Sequence, residues 1–113
     1  TGPEVITGST RMKAGTATKM VLNMISTTTM IKLGKVYNNL MVDLRAVNDK
    51  LVDRGVRIIE QLTQLKYNDA KKLLSSANNS VKVAVVMHHF ECSASEAKLK
   101  LSSVKGFLHH LID

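Results

Sequence analysis

The sequence contains few of the residues that stack, kink or cross-link a chain. Its 113 residues include no Trp, two Tyr, two Phe, one Pro and one Cys. With so few aromatic rings the core has to be built from Leu, Val, Ile, Met and Ala, a composition that favours helices. Pro3 lies at the start, so proline forbids no long helix after it. Cys92 has no second cysteine to pair with, which fits a reducing cytoplasm.

The charge of the chain limits the kinds of partner to be considered. The net charge is +7, which is compatible with nucleic acid, an anionic membrane surface or phosphorylated metabolites. Five Lys and Arg lie in the first 35 residues against the single acidic residue Glu4. The later sequence lacks a clustered basic face and a set of stacking aromatic residues, which argues against nucleic acid. The uncharged run at residues 20–31 is shorter than the roughly 20 residues of a membrane span, which argues against a membrane.

The start of the chain indicates a piece of something longer. It opens on Thr1 and not on Met, and no apolar leader follows. A chain of this length suits one small domain or a helical part of a larger protein. We therefore expect the sequence to be the C-terminal part of a longer protein.

The pattern of apolar residues predicts an all-α fragment. Residues 2–10 indicate a strand end or loop that leads into a long helix, which runs from Ser9 or Thr10 to Leu33. The uncharged middle of this helix is expected to be buried between packed layers, on a stripe at helical spacing. The stripe consists of Val21, Met24, Ile25, Thr28 and Ile31. Residues 36–44 form a connector of ambiguous conformation, and a second helix at residues 49–63 begins after the cap Asn48.

The remaining sequence predicts a compact bundle of short helices from Lys66 onward, joined by short connections. Each helix is expected to begin at a side chain that can accept a hydrogen bond from the first turn. These predicted caps are Asn68, Ser80, Ser93 with Glu96 as a capping box, and Ser102 or Ser103.

A candidate anion site lies where the first helix begins. A helix N-terminus already carries free amides and a partial positive charge, so further cations there are useful chiefly if an anion binds. The polar residues concerned are Ser9, Thr10, Arg11, Lys13, Thr16, Thr18 and Lys19. A Ser or Thr cap followed by solvated basic residues explains the same pattern. A Walker loop is absent, because no Lys follows Gly15.

Other candidate groups have simpler interpretations. Glu4 is a candidate general acid or base, but a lone carboxylate beside a turn more often makes hydrogen bonds or ion pairs. The pairs His88–His89 and His109–His110 cannot chelate a metal by themselves, since adjacent helical residues point about 100 degrees apart. Cys92 is expected to be inert and partly buried. No metal site is predicted.

The opening segment resembles a known signature. Residues 2–19, GPEVITGSTRMKAGTATK, closely resemble the motif of the N-acetylmuramic acid 6-phosphate etherases, a family that also includes the animal glucokinase regulatory protein. Residues 20–51, MVLNMISTTTMIKLGKVYNNLMVDLRAVNDKL, resemble the bacterial etherases in particular, and the remainder resembles their C-terminal part more loosely. Asn38 stands where the family motif VYGNLMVD carries glycine, which should affect the turn more than the chemistry.

The resemblance implies a cytoplasmic, homodimeric carbon–oxygen lyase of cell-wall recycling, with a sugar-isomerase (SIS) α/β domain. Such an enzyme cleaves the D-lactyl ether of N-acetylmuramic acid 6-phosphate to N-acetylglucosamine 6-phosphate and D-lactate, without a metal or organic cofactor. Its acid and base glutamates would lie upstream of this chain, which alone would be inactive. Residues 1–35 would end the SIS domain, residues 36–64 would connect, and residues 65–113 would form a small bundle resembling ubiquitin-associated (UBA) domains.

Seven residues match the family motif and are expected to border the sugar-phosphate site. They are Glu4, Ser9, Thr10, Arg11, Lys13, Thr16 and Lys19. Which of them would contact phosphate or sugar stays open. Two alternatives also remain: a sugar-phosphate sensor without turnover, like the glucokinase regulatory protein, and a basic helical module that binds nucleic acid.

Overall fold

The computed structural model describes residues 1–8 and 11–113. Ser9 and Thr10, and with them the predicted start of the first helix, lie outside the described residues. The chain divides into two compact units, Thr1–Lys32 and Leu33–Asp113. Most of the described residues are helical, which confirms the predicted fold class, and the described strands form one two-stranded hairpin.

The first unit consists of an irregular segment, residues 1–8, and helix α1, Met12–Lys32. The many Ser and Thr residues of α1 are compatible with a helix because several hydroxyls turn back to their own backbone. Thr18 Oγ1 donates to the Ala14 carbonyl at 2.8 Å, and Thr29 Oγ1 donates to the Ile25 carbonyl at 2.7 Å. The helix ends one residue before the predicted Leu33.

The prediction that α1 is buried between packed layers is wrong for the described chain. Helix α1 contains no buried residue, and four members of its apolar stripe are about half exposed: Val21, Met24, Ile25 and Ile31. Spacing along a helix shows which side chains share a face, but burial also needs a second surface. Within the first unit, the rest of the described chain amounts to residues 1–8 and Arg11, too few to cover a helix of 21 residues.

The second unit opens with a β-hairpin, which settles the conformation of the ambiguous connector. Strand β1, Val36–Tyr37, pairs antiparallel with β2, Leu40–Met41, so that Val36 faces Met41 and Tyr37 faces Leu40. Asn38 begins the two-residue loop with φ +54°. Asparagine is one of the few residues other than glycine that adopt this left-handed conformation readily, so the hairpin tolerates it.

Helix α2, Asp49–Thr63, has the predicted bounds and the predicted cap. The side chain of Asn48 accepts a hydrogen bond from the Leu51 amide at 2.9 Å. One face of α2 is apolar and packs into the core, where Val56 and Ile59 are fully buried. The remaining members of that face, Leu51, Val52 and Leu62, pack against the core.

Four further helices complete the bundle: α3, Tyr67–Ser76; α4, Val81–Phe90; α5, Ala94–Ser103; and α6, His109–Ile112. Helix α4 is central, because its first six residues are all buried and it packs against α2, α3, α5 and α6. The backbone of α2 approaches it closely at Gly55, where a Cβ atom would lie 3.1 Å from Val81. Two predicted caps are confirmed: Ser80 accepts from the Val83 amide, and Ser93 accepts from the Glu96 amide.

Two predicted caps are wrong. Asn68 lies inside the first turn of α3, which begins one residue earlier after Lys66. Ser102 and Ser103 end α5 and do not open another helix. The helical conformation ends after them because Lys105 and Gly106 both have positive φ, +56° and +81°, which no α-helix accommodates.

Candidate functional site

The carboxylate of Glu4 caps the start of α1. Its Oε1 atom accepts hydrogen bonds from the backbone amides of Lys13 at 2.9 Å and Ala14 at 3.4 Å, and its Oε2 atom lies 3.2 Å from the Lys13 amide. These amides belong to the first turn of α1, where no carbonyl of the helix itself can accept them. A negative charge at this end also offsets the positive end of the helix dipole. Glu4 therefore provides hydrogen-bond acceptors for two backbone amides at the helix start, although it lies nine residues before Lys13.

The side chain of Lys13 returns to the segment that carries Glu4. Its Nζ atom donates a hydrogen bond to the carbonyl oxygen of Pro3 at 2.6 Å. The two residues thus hold the irregular segment and the helix together in both directions: Glu4 accepts from the backbone of Lys13, and Lys13 donates to the backbone beside Glu4. We call this pair of contacts the Glu4–Lys13 clamp.

Residues of the clamp line two surface grooves. The larger groove, of about 400 Å³, is mostly apolar and has Glu4 and Lys13 at its polar side; the other lining residues are Thr1, Val5, Met12, Thr16, Ala17 and Met20. The smaller groove, of about 270 Å³, lies along residues 1–8 and also includes Glu4 and Ala14. On α1, Lys13, Thr16 and Met20 lie at helical spacing, which is why they share the wall of the larger groove.

The structure brings together three of the seven predicted site residues: Glu4, Lys13 and Thr16. Arg11 is exposed just before α1, and it does not line either of these grooves. Lys19 is exposed on α1, about 9 Å further along the helix axis than Lys13. Ser9 and Thr10 lie outside the described residues. Thr18, whose hydroxyl was a further candidate, uses that hydroxyl within the helix.

A second cluster of charged residues, in the second unit, was not predicted from the sequence. Lys82 is 8 % exposed, and its Nζ atom lies 2.7 Å from the Gly106 carbonyl oxygen and 3.8 Å from Asp43 Oδ1. Asp43 Oδ2 accepts a hydrogen bond from Lys35 at 2.6 Å. Burial lowers the pKa of Lys82, although Asp43 opposes the change. Partial burial raises the pKa of Asp43, but the Lys35 hydrogen bond and the charges of Lys82 and Lys35 together hold it below its ordinary value.

Other polar contacts in the second unit join elements of the bundle. Tyr67 on α3 and Arg57 on α2 each donate a hydrogen bond of 2.9 Å to Asp53. The Arg57 bond, followed by the Tyr67 bond, lowers the pKa of Asp53. Tyr37 of the hairpin donates to the side chain of Asp113, and this bond raises the pKa of the Tyr37 hydroxyl.

Metal-ligating side chains are scattered in the part of the chain that the structure describes. No three His, Cys, Asp or Glu residues among the described ones are grouped so that they could hold a metal ion. Cys92 is a half-buried free thiol that packs against the core, as predicted. None of the described helices combines the length and the apolar character that crossing a membrane requires.

Comparison with known proteins identifies relatives over nearly the whole chain. No family model matches it. The N-acetylmuramic acid 6-phosphate etherase of Oceanobacillus iheyensis is 59% identical over 108 residues, which cover 96% of this chain and 37% of that protein. The etherase of the same name from Shouchella clausii is 54% identical over 113 residues, covering 100% of this chain and 38% of that protein. The etherase from Staphylococcus saprophyticus is 56% identical over 101 residues, which cover 89% of this chain and 34% of that protein.

These identities extend over both units of the structure. The chain belongs to the family of N-acetylmuramic acid 6-phosphate etherases and corresponds to the C-terminal part of its members. It spans a little over a third of the length of the curated relatives that it matches.

Proposed function

We propose that this chain is the C-terminal part of a carbon–oxygen lyase. The reaction is cleavage of the D-lactyl ether of N-acetylmuramic acid 6-phosphate, which yields N-acetylglucosamine 6-phosphate and D-lactate during cell-wall recycling. The observation that carries the proposal is identity of 54% over the full 113 residues with a protein named for this etherase activity. The acid and base of the reaction would lie outside this chain, which would contribute to the binding of the sugar phosphate and to dimer contacts.

The proposed binding region is the start of α1. It is supported by the proximity of Glu4, Lys13 and Thr16 around one groove and by the cations Arg11 and Lys19 nearby. A guanidinium binds phosphate through two parallel hydrogen bonds, so Arg11 is the strongest candidate for direct contact. Ser9 and Thr10 belong to the same proposed region on the basis of the motif alone.

The remaining organisation is proposed from the family. Residues 1–35 would complete an SIS domain, residues 36–64 would form a connecting segment, and residues 65–113 would form a UBA-like bundle. The complete enzyme would be a cytoplasmic homodimer that needs no metal or organic cofactor. Support for the first assignment comes from the apolar and uncharged surface of α1, since a helix that is apolar on several sides is normally covered in a larger protein.

The test is an assay of an etherase of full family length that carries this chain as its C-terminal part. N-acetylmuramic acid 6-phosphate is supplied, and released D-lactate is measured. Arg11→Ala should raise KM by about tenfold or more, because a charge-assisted hydrogen bond to phosphate is lost. Arg54→Ala, which removes an exposed arginine on α2, is the matched control and should leave KM unchanged.

The possible results separate the alternatives. Release of D-lactate by the unmodified enzyme supports the etherase, and its absence contradicts it. Binding of the sugar phosphate without release of D-lactate would instead indicate a regulatory sensor. Equal KM values for Arg11→Ala and Arg54→Ala would show that Arg11 is a solvated cation and not a phosphate ligand.

A further inference from the structure

Several hydrogen-bonding groups at the start of α1 already have partners within the chain. The Lys13 and Ala14 amides donate to Glu4, the Lys13 ammonium donates to the Pro3 carbonyl, and the Thr18 hydroxyl donates to the Ala14 carbonyl. A substrate anion that bound these amides would have to displace the carboxylate of Glu4. Two anions could not share them, since like charges at such short range repel strongly.

The residues on either side of this turn are connected through backbone atoms. Glu4 contacts the peptide groups that begin α1, and Lys13 contacts the peptide group that precedes Glu4. Such contacts fix the direction in which the helix leaves the segment, and therefore where Thr16, one turn further on, lies in the groove. Neither side chain has to touch a ligand to have this effect.

We propose that Glu4 is a positioning residue, and neither an acid, a base nor a ligand of the sugar phosphate. It fixes the first turn of α1 through the Lys13 and Ala14 amides, and the Lys13 ammonium fixes the other side of the same clamp. This inference rests on the proposed function, because it assigns roles within the same binding region. It leaves direct contact with the phosphate to side chains outside the clamp, Arg11 first.

The test compares Glu4→Ala and Glu4→Gln in the same full-length etherase, with D-lactate release from N-acetylmuramic acid 6-phosphate as the readout. Glu4→Ala should raise KM about three- to tenfold, the equivalent of a lost helix cap, with kcat within about twofold. Glu4→Gln should raise KM less, because a carboxamide oxygen still accepts from the Lys13 amide. Both limbs of the pH profile of kcat should remain. Asp69→Asn, an exposed carboxylate in the first turn of α3, is the matched control and should change neither constant.

A double variant tests whether the two residues act as one unit. Lys13→Met keeps the aliphatic stem and removes the ammonium that donates to Pro3. If both residues act through the clamp, the rise in KM of the Glu4→Ala/Lys13→Met enzyme should be smaller than the product of the two single rises. If the rise in KM of the double variant equals the product of the two single rises, Lys13 acts independently of Glu4, as a direct phosphate ligand would. That result would contradict the role proposed for the clamp.

Failure of this inference and failure of the proposed function are distinguishable. If the unmodified enzyme releases no D-lactate, the proposed function fails. If it is active and Glu4→Gln loses activity more than a hundredfold in kcat together with one limb of its pH profile, Glu4 is a catalytic residue and the positioning role is wrong. If the enzyme is active and the KM of Glu4→Ala matches that of Asp69→Asn, Glu4 does not position the site. Circular dichroism of Glu4→Gln establishes that the variant is folded.

Discussion

The ammonium of Lys82, in the buried first part of helix α4, donates a hydrogen bond of 2.7 Å to the carbonyl oxygen of Gly106, beyond the end of α5. The bond joins residues that are 24 positions apart in the sequence. It lies beside Asp43, so the lysine has both a carbonyl and a carboxylate within reach. Because a buried cation is costly unless it is paired and hydrogen-bonded, this arrangement explains how a lysine can occupy the core-facing part of α4.

Replacing Lys82 should destabilise the second unit. Lys82→Met keeps the aliphatic stem but leaves the Gly106 carbonyl and Asp43 without this partner, at a cost of about 1–3 kcal/mol in the free energy of unfolding. Lys98→Met, at an exposed position on α5, is the control and should cost less than about 0.5 kcal/mol. Urea denaturation of the 113-residue chain gives both values. Equal stability of the two variants would show that the bond to Gly106 contributes nothing net.

Acid should destabilise the chain through Asp43. The pKa of Asp43 is held below its ordinary value of 3.8 in the folded chain, so between the two values the unfolded chain binds more protons. The stabilising contribution is therefore present above about pH 4 and is lost as the pH falls through the folded pKa. Asp43→Asn should be less stable at pH 7 and should lose less on acidification. Asp53 also has a lowered pKa, so some acid sensitivity should remain in the variant. Unfolding curves at pH 7 and pH 3 measure the difference, and identical losses in both chains would count against Asp43.

Two glycine-to-alanine substitutions should have opposite effects on stability. Gly34 has φ +75°, and a Cβ atom there would lie 3.3 Å from both the Gly106 carbonyl oxygen and the Phe107 ring, so Gly34→Ala should cost about 1–2 kcal/mol. Gly15 lies inside α1 with nothing within 4 Å of a new Cβ, so Gly15→Ala should favour the helix by about 0.5–1 kcal/mol. Thermal unfolding monitored by circular dichroism should show a lower Tm for Gly34→Ala. Unchanged helix content in Gly15→Ala would contradict the predicted stabilisation of α1.

Two asparagines that both look like helix caps should differ in their importance. Asn48 accepts from the Leu51 amide at the start of α2, whereas Asn68 lies inside α3 and α3 has no side-chain cap. Asn48→Ala should therefore destabilise the chain by about 1 kcal/mol, and Asn68→Ala should be nearly neutral or slightly stabilising. Chemical denaturation of the two variants side by side checks this, and a larger loss for Asn68→Ala would restore it as a cap.

The parts of the fold that were predicted correctly depend on short-range signals. The bounds of α2, its cap Asn48, and the caps Ser80 and Ser93 each follow from a polar side chain followed by apolar residues at helical spacing. The two wrong caps failed because a short polar residue also occurs inside a first turn or at a helix end. The choice between these positions depends on neighbours: the hydroxyl of Tyr67 is held by Asp53, 14 residues away, within the first turn of α3.

The candidate site was predicted as a set of residues but not as an arrangement. A motif shows that Glu4 and Lys13 occur nine positions apart, but only the turn between an irregular segment and a helix brings the carboxylate onto the Lys13 amide. The sequence did not predict the cluster of Lys82, Asp43 and Lys35, because one lysine in an apolar run is compatible with either a solvated or a buried position. Its partner at Gly106 is a backbone carbonyl, which every residue has.

Helix α1 also has a consequence for handling the isolated chain. Its residues 20–31 carry no charge, and large apolar side chains such as Met20, Leu22 and Ile25 are more than half exposed. Patches of this kind cause association in water, and like charges on the molecules oppose it. The colloidal behaviour of the 113-residue chain should therefore depend on its charge of +7: salt, which screens that charge, should reduce its solubility.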